Sequence, residues 1–144
     1  MARIKIDITG NELAIVHTRV RISDINYGNH VGNDSFVSLI HEARVQWLKQ
    51  HGFTELDIAG TGLIMSDLAI QFSNEAYYGD EIQIIVSTGD ISRVSFELYY
   101  QVTAERNKVT INLAKARTGM VCFDYQSKKV VAVPSILMDV LKGI

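Results

Sequence analysis

The sequence predicts an α+β fold in which one antiparallel sheet wraps around one long apolar helix. Two observations carry that expectation. One stretch, Phe36 to Trp47, repeats its apolar residues with the period of a helix. Most of the chain after it alternates with the period of a strand and is broken by short turn signals. The 144 residues are read as one domain, 1–144. A domain of this size buries about 68–70% of its unfolded surface and needs no covalent staples.

Ile4, Ile6 and Ile8 alternate with Lys5 and Asp7, which predicts a first strand ended by the turn signal Gly10-Asn11. Val16, Thr18, Val20 and Ile22 alternate with His17, Arg19 and Arg21 and predict a second strand that delivers the chain to Asp24. The helix is predicted from Asp34 to His51. Phe36, Leu39, Ile40, Ala43 and Trp47 form its apolar stripe. Ser35, Ser38, Glu42, Gln46 and Lys49 lie opposite, and Val37, Val45 and Leu48 widen the apolar part. Asn33 or Asp34 is expected to cap the first turn, and Gly52 to end the helix as its C′ residue.

Thr54 to Gly62 reads as a connection. Ile64, Leu68, Ile70 and Phe72 predict the next strand, and Asn74 to Asp80 a polar loop. Ile82, Ile84 and Val86 predict another strand, turned at Gly89-Asp90. Val94, Phe96, Leu98, Tyr100, Val102 and Ala104 give the cleanest period of two, and Asn107-Lys108 closes a hairpin. Val109 to Tyr125 reads as a long strand whose alternation slips near Lys115, which predicts a bulge. Ser127-Lys128-Lys129 turns the chain. A short helix, Ile136 to Leu141, follows Pro134 with Ser135 as its N-cap.

Composition bounds the function. A net charge of −2 gives no general reason to bind nucleic acid or an anionic membrane. The single cysteine, Cys122, excludes an intramolecular disulfide and metal sites built on several thiolates. His17, His30, His41 and His51 show no ligand spacing such as HExxH, so no metal is expected. No apolar run approaches a membrane span, and the start MARIKID lacks a signal-peptide core, so a soluble cytoplasmic protein is expected. The second apolar face, on Met65, Ile85, Ile111, Val121 and Phe123, points to self-association.

Chemistry concentrates in the loop before the helix, which holds Asp24, Asn26, Tyr27, Gly28, Asn29, His30, Gly32 and Asn33. Asp24 is either a turn residue or a carboxylate able to attack a carbonyl or activate water. Free N–H groups at the helix start are suited to an oxyanion. His30 is a general base, a ligand or a loop residue making a structural hydrogen bond. Glu42, mid-helix and off the apolar stripe, suits a solvated face. Ser35 and Ser38 lack the context of a nucleophile elbow.

The segment Asp24 to Asn33, followed by Phe36 and by Glu42-Ala43-Arg44, resembles the hotdog-fold acyl-CoA thioesterases of the 4-hydroxybenzoyl-CoA thioesterase group. Their pattern is D-x-D-x-x-G-H-V-N-N, an aromatic residue three positions on, then E-x-A-R. Asp24, His30, Val31, Asn33, Glu42 and Arg44 match it. Asn26 replaces the second acid, Gly32 the first Asn of the pair, and Asn74-Glu75 a common proline. The resemblance spans residues 13–134 in order, although only the loop and helix motif is specific.

The resemblance implies a hotdog fold, with sites formed where two subunits pair as a homodimer or homotetramer. It implies an acyl-CoA substrate and no cofactor beyond the coenzyme A of that substrate. Asp24 is then the nucleophile or the base for water, and N–H groups of Val31, Gly32 and Asn33 polarise the thioester carbonyl. His30 and Glu42 complete the catalytic set. Arg93, Arg106, Lys108 and Arg117 are the candidate cations for the nucleotide, set against plain surface solvation. The competing functions are a carrier-protein thioesterase and a non-catalytic subunit that binds acyl thioesters.

Overall fold

The computed structural model describes residues 3–144. Strand β1 (Glu12–Arg19) leads through a 3₁₀ turn, Ile22–Asp24, to helix α1 (Asn33–Gln50). Strands β2 (Gly62–Phe72), β3 (Glu81–Ile91), β4 (Ser95–Arg106), β5 (Val109–Asp124) and β6 (Lys129–Val130) follow, and α2 (Ser135–Lys142) ends the chain. The strands form one six-stranded antiparallel sheet in the order β1-β3-β4-β5-β2, with β6 on β5. The α+β expectation holds.

The apolar stripe of α1 explains its place. Phe36, Leu39, Ile40, Ala43, Trp47 and Leu48 are buried with the inward residues of the strands. Fully burying a large apolar side chain contributes about 1.5–3 kcal/mol, so this face alone outweighs any helix-propensity term. Ala114 and Ala116, paired with Val102 and Tyr100, put small residues on the inward face of β5. Ser38, Glu42 and Lys49 are exposed, as the pattern requires, while Val45 is 40% exposed and Leu48 buried.

Arg44 is the exception on the buried face, with 5% exposure. Its Nε donates to Glu55 Oε2 at 3.0 Å and its Nη1 to the Tyr100 hydroxyl at 3.2 Å. That hydroxyl is 2.8 Å from Thr118 Oγ1, and His41 Nε2 lies 2.5 Å from Glu55 Oε1. Burial works against the charge on both partners. Bonds with Tyr100 and Glu55 still raise the Arg44 pKa, and bonds from His41 and Arg44 still lower that of Glu55. The inward alternation of Tyr100 and Thr118 in the sequence signals two polar groups in the core, but not the cation that joins them.

Several expectations need correction. Residues 4–8 form no strand. Ile6 takes a side-chain bond, its N–H to Gln71 Oε1 at 3.0 Å, and Arg3 bonds the Phe72 carbonyl oxygen. Alternation does not by itself supply a ladder partner. The second strand stops at Arg19, and Ile22 enters the 3₁₀ turn. The N-cap of α1 is Gly32, without a side-chain cap, so Asn33 and Asp34 are already helical. Pro134, not Ser135, caps α2.

Gly89-Asp90 is not a turn. It is a bulge opposite Glu97, where a Cβ on Gly89 would meet the Tyr99 ring at 2.4 Å. The chain turns instead at Ser92 to Ser95. The bulge in β5 falls at Leu113, where both Leu113 and Ala114 are buried. Asn107 and Lys108 both have positive φ, 52° and 64°, as the tight hairpin requires. Gly52 has φ 75° just past α1. Met65, Ile85, Ile111, Val121 and Phe123 are exposed or half-buried. Among the described residues no helix is long and apolar enough to cross a membrane.

Breaking the buried pair should cost stability. Removing one partner of a buried ion pair costs about 3–5 kcal/mol, and Glu55 is partly exposed, so Arg44→Ala should lose about 3 kcal/mol. The depressed Glu55 pKa adds a sign. Its contribution is full above the unfolded value of ~4.3 and is lost as pH falls through the lower folded value. Urea titrations of wild type and Glu55→Gln should therefore differ at pH 7 and converge in acid. A constant difference at both pH values contradicts the pairing.

Candidate active site

The loop before α1 is tied by its own backbone. The Asn26 N–H donates to the His30 carbonyl oxygen at 2.9 Å, and Ile25 and Val31 form an antiparallel bridge. Asn26 Oδ1 accepts the Gly28 N–H at 2.9 Å, a local bond typical of Asn in turns. Asn29 takes φ 63°, a left-handed conformation that Asn tolerates. Two further bonds fix the loop to the rest of the chain. The Gly32 N–H donates to the Asp24 carbonyl oxygen at 3.1 Å, and the Val31 N–H to the Ala76 carbonyl oxygen at 2.8 Å.

Those two bonds change which donors are free. The Val31 and Gly32 N–H groups were expected to polarise a carbonyl, but both are committed to backbone oxygens. The Asn33 and Asp34 N–H groups have no partner among the described residues. They form the open, positive end of α1.

Asn33 lines a cleft of about 210 Å³ with His30, Val31, Phe36, Phe72, Ser73, Asn74 and Glu75. The Phe36 and Phe72 rings meet edge to face at 5.2 Å and give the cleft its apolar wall. His30 Nε2 lies 3.7 Å from Glu75 Oε1, and His30 Nδ1 lies 3.2 Å from the Val31 carbonyl oxygen. Glu75 Oε2 accepts the Tyr77 hydroxyl at 2.9 Å. Glu75 was noted in the sequence only as a departure from the family pattern. Its approach to His30 depends on a fold contact that the chain order does not show.

Asp24 makes the contacts of a turn residue, one of the two readings the sequence left open. It is 5% exposed, and its Oδ2 accepts the Arg21 N–H at 2.8 Å, closing the 3₁₀ turn. Arg21 Nε lies 3.8 Å from the same oxygen. Oδ1 has no hydrogen-bond partner among the described residues. The carboxylate therefore turns toward Arg21, while its backbone carbonyl touches the helix start. The Asn26 side chain stands beside Gly32. A Cβ built on Gly32 would lie 3.6 Å from Asn26 Cβ and 3.7 Å from its Nδ2. The same Cβ would lie 2.6 Å from Asp34 Oδ1, so Asp34 fills the space of the asparagine that the pattern expects there.

Glu42 is exposed and bonded to Gln46 at 2.8 Å. It borders a separate depression with Thr18, Arg21, Ser38 and His41. Within one chain, His30, Val31 and Asn33 thus share a cleft that neither Asp24 nor Glu42 lines.

Two of the four candidate cations are already paired. Arg106 bonds both Asp80 oxygens, at 2.5 and 3.2 Å. Arg117 lies 2.9 Å from Glu97 and 3.4 Å from Asp67. Lys108 and Arg93 are exposed and make no salt bridge among the described residues. They sit past opposite ends of β4, and a strand of that length spans roughly 40 Å. Lys108 is at the Arg106 end, where Arg106 reaches the Glu75 carbonyl oxygen, and Arg93 at the far end.

A family model for the thioesterase-like superfamily matches residues 20–141. A curated protein of Aquifex aeolicus (strain VF5), named "Putative esterase", is 25% identical over 130 residues, 89% of this chain and 97% of that one. The solved 1,4-dihydroxy-2-naphthoyl-CoA thioesterase from Synechocystis is 21% identical with a TM-score of 0.78, covering 88% of this chain and 93% of that chain. A 4-hydroxybenzoyl CoA thioesterase mutant, solved with 4-hydroxybenzoyl CoA bound, is 15% identical with a TM-score of 0.80. That match covers 89% of this chain and 97% of the other. The likeness to these structures is one of fold, and the fold is the hotdog fold that the loop and helix motif implied.

Proposed function

The chain belongs to the thioesterase-like superfamily, and from that membership and the geometry at the start of α1 we propose that it hydrolyses an acyl-CoA thioester to the free acid and coenzyme A. The observation that supports this reading most is the pair of unpartnered N–H groups, Asn33 and Asp34, beside a cleft with an aromatic wall. A thioester carbonyl oxygen placed there gains two donors and the positive end of the helix as negative charge develops on it. The names of the similar CoA thioesterases agree with that substrate class.

In this reading Asp24 is the base that deprotonates water, or the nucleophile that attacks the carbonyl carbon, through the oxygen that Arg21 leaves free. The carbon–sulfur bond breaks and coenzyme A leaves as a thiolate, which needs little acid assistance. No cofactor is required beyond the coenzyme A of the substrate. Of the four candidate cations, Lys108 is the unpaired one at the Arg106 end of β4 and is assigned to the nucleotide of a substrate in the same chain's cleft. Arg93 reaches such a nucleotide only from a second copy. The partly exposed apolar residues of the sheet fit a homodimer or homotetramer that completes the site. Light scattering behind size exclusion should then show no major species at the monomer mass of 16.1 kDa. A clean, active monomer overturns the shared site.

A second reading has its own support. The Asp24 carboxylate is spent in part on Arg21, and a neutral amide, Asn26, faces Gly32. That arrangement suits a protein that binds acyl thioesters and turns them over slowly. Thiol release from short, long and aryl acyl-CoAs, and from carrier-protein thioesters, separates these readings. On the best substrate Asp24→Asn should lower kcat by about 10²–10⁴, the usual worth of a general base. Asn26→Ala should cost less. Lys108→Ala should raise KM more than it lowers kcat, as the loss of a remote handle does. A larger loss from Asn26→Ala than from Asp24→Asn overturns the role of Asp24. Absence of turnover across the panel, with acyl-CoA binding retained, establishes the second reading.

A further inference from the structure

Arg106 was a candidate phosphate cation, but its surroundings give it another task. It ends β4 and is held from several sides. Its Nη2 donates to the Glu75 carbonyl oxygen at 2.7 Å and to Asp80 Oδ2 at 2.5 Å, and its Nε donates to Asp80 Oδ1 at 3.2 Å. The guanidinium carbon lies 4.9 Å from the centroid of the Tyr77 ring. Asp80 also accepts the Tyr77 N–H at 2.9 Å, and its carbonyl oxygen accepts the Val20 N–H at 3.0 Å. One side chain therefore grips both ends of the segment from Glu75 to Asp80.

That segment is the seat of the candidate site. Ala76 is fully buried and its carbonyl oxygen receives the Val31 N–H. Glu75 points its carboxylate at His30 and shares it with Tyr77. Both contacts reach the residues on which the cleft and the start of α1 depend. A planar fork that bonds a carboxylate in two places and a carbonyl in a third fixes position in a way that a point charge does not. Asp80, already paired, leaves this guanidinium little net charge to offer a phosphate.

We propose that Arg106 is a positioning residue for the thioester chemistry: through Glu75 and Asp80 it locks the segment that sets Val31 and His30 at the start of α1. The catalytic part of this proposal rests on the thioesterase reading above, while its structural part does not. The proposal separates clearly from the phosphate-cation alternative. A phosphate cation affects substrate binding, is sensitive to salt and is largely replaced by lysine. A positioning fork affects the chemical step and is not replaced by lysine.

The test uses full-length Arg106→Ala and Arg106→Lys, with Arg19→Ala as a surface ion-pair control of the same charge change. Amide hydrogen exchange is followed at Val31 and at Ala43 in mid-helix, and kcat, KM and their salt dependence are measured on the best thioester, below every variant's melting temperature. A displacement of order 1 Å in reacting groups costs up to about 10²-fold, so kcat should fall by about 10- to 100-fold in both Arg106 variants. KM and its salt dependence should stay near wild type. Val31 should exchange faster in both, Ala43 as in wild type, and Arg19→Ala should match wild type throughout. A loss confined to KM and restored by lysine overturns the proposal, as does unchanged Val31 exchange. If Arg106→Ala does not fold, the lysine variant alone decides by the same criteria. If the wild type hydrolyses no thioester, the functional reading fails, and Val31 exchange still decides whether Arg106 locks the segment.

Discussion

A helix with one face packed inside a sheet cannot slide along its axis without exposing that face. This constraint governs α1, whose buried residues run from Phe36 to Leu48. It is reinforced by Arg44, whose bonds to Glu55 and Tyr100 are directional where apolar packing is not. The position of the helix start is therefore decided by packing along the whole buried face, from Phe36 to Leu48. The loop of site residues is then drawn to that point by the Gly32 and Val31 backbone bonds. The two open N–H groups follow as a consequence, because a helix that begins at Asn33 without a side-chain cap leaves its first donors unspent.

Electrostatics refine this picture. Carboxylates answer the buried and half-buried arginines: Glu55 faces Arg44, Asp80 faces Arg106, and Asp67 with Glu97 faces Arg117. Burial opposes ionisation of Asp80, yet the bonds from Arg106 and the Tyr77 N–H lower its pKa. Such pairs hold loops and strands in place and leave little charge for a ligand. Of the four candidate cations, Lys108 and Arg93 are left without a salt bridge among the described residues, and the helix end supplies a fixed positive potential. An anionic ligand with an acyl thioester at one end and phosphates at the other matches that division. Cys122 plays no part in it, since burial pushes its thiol up to about 11 and keeps it protonated.

The sequence displayed these features unevenly. The stripe of α1 and the alternation of β4 were legible because each follows from a single periodicity and from burial of one face. The tight turn at Asn107-Lys108 was legible because few residue pairs accept two positive φ values. Gly89-Asp90 misled because the same glycine chemistry serves a turn and a bulge, and only the neighbouring Tyr99 ring decides between them. Ile4, Ile6 and Ile8 misled because strand periodicity does not guarantee a neighbour to pair with. In the candidate site, the motif singled out the loop before α1 but not the direction of the Asp24 carboxylate, which a local bond to Arg21 sets. Glu75 and Arg106 gained their places from contacts across the fold, between segments about 30 residues or more apart.

The central claim is that the thioester carbonyl sits at the open end of α1. A crystal structure with a non-hydrolysable acyl-CoA analogue, its thioester sulfur replaced by methylene, tests it most directly. The carbonyl oxygen should lie about 2.7–3.1 Å from the backbone nitrogen of Asn33 or Asp34, with the acyl group against Phe36 and Phe72. A carbonyl bound instead in the separate cleft that Val37, Arg44, Glu55 and Tyr125 line, or in the depression beside Glu42, contradicts the account.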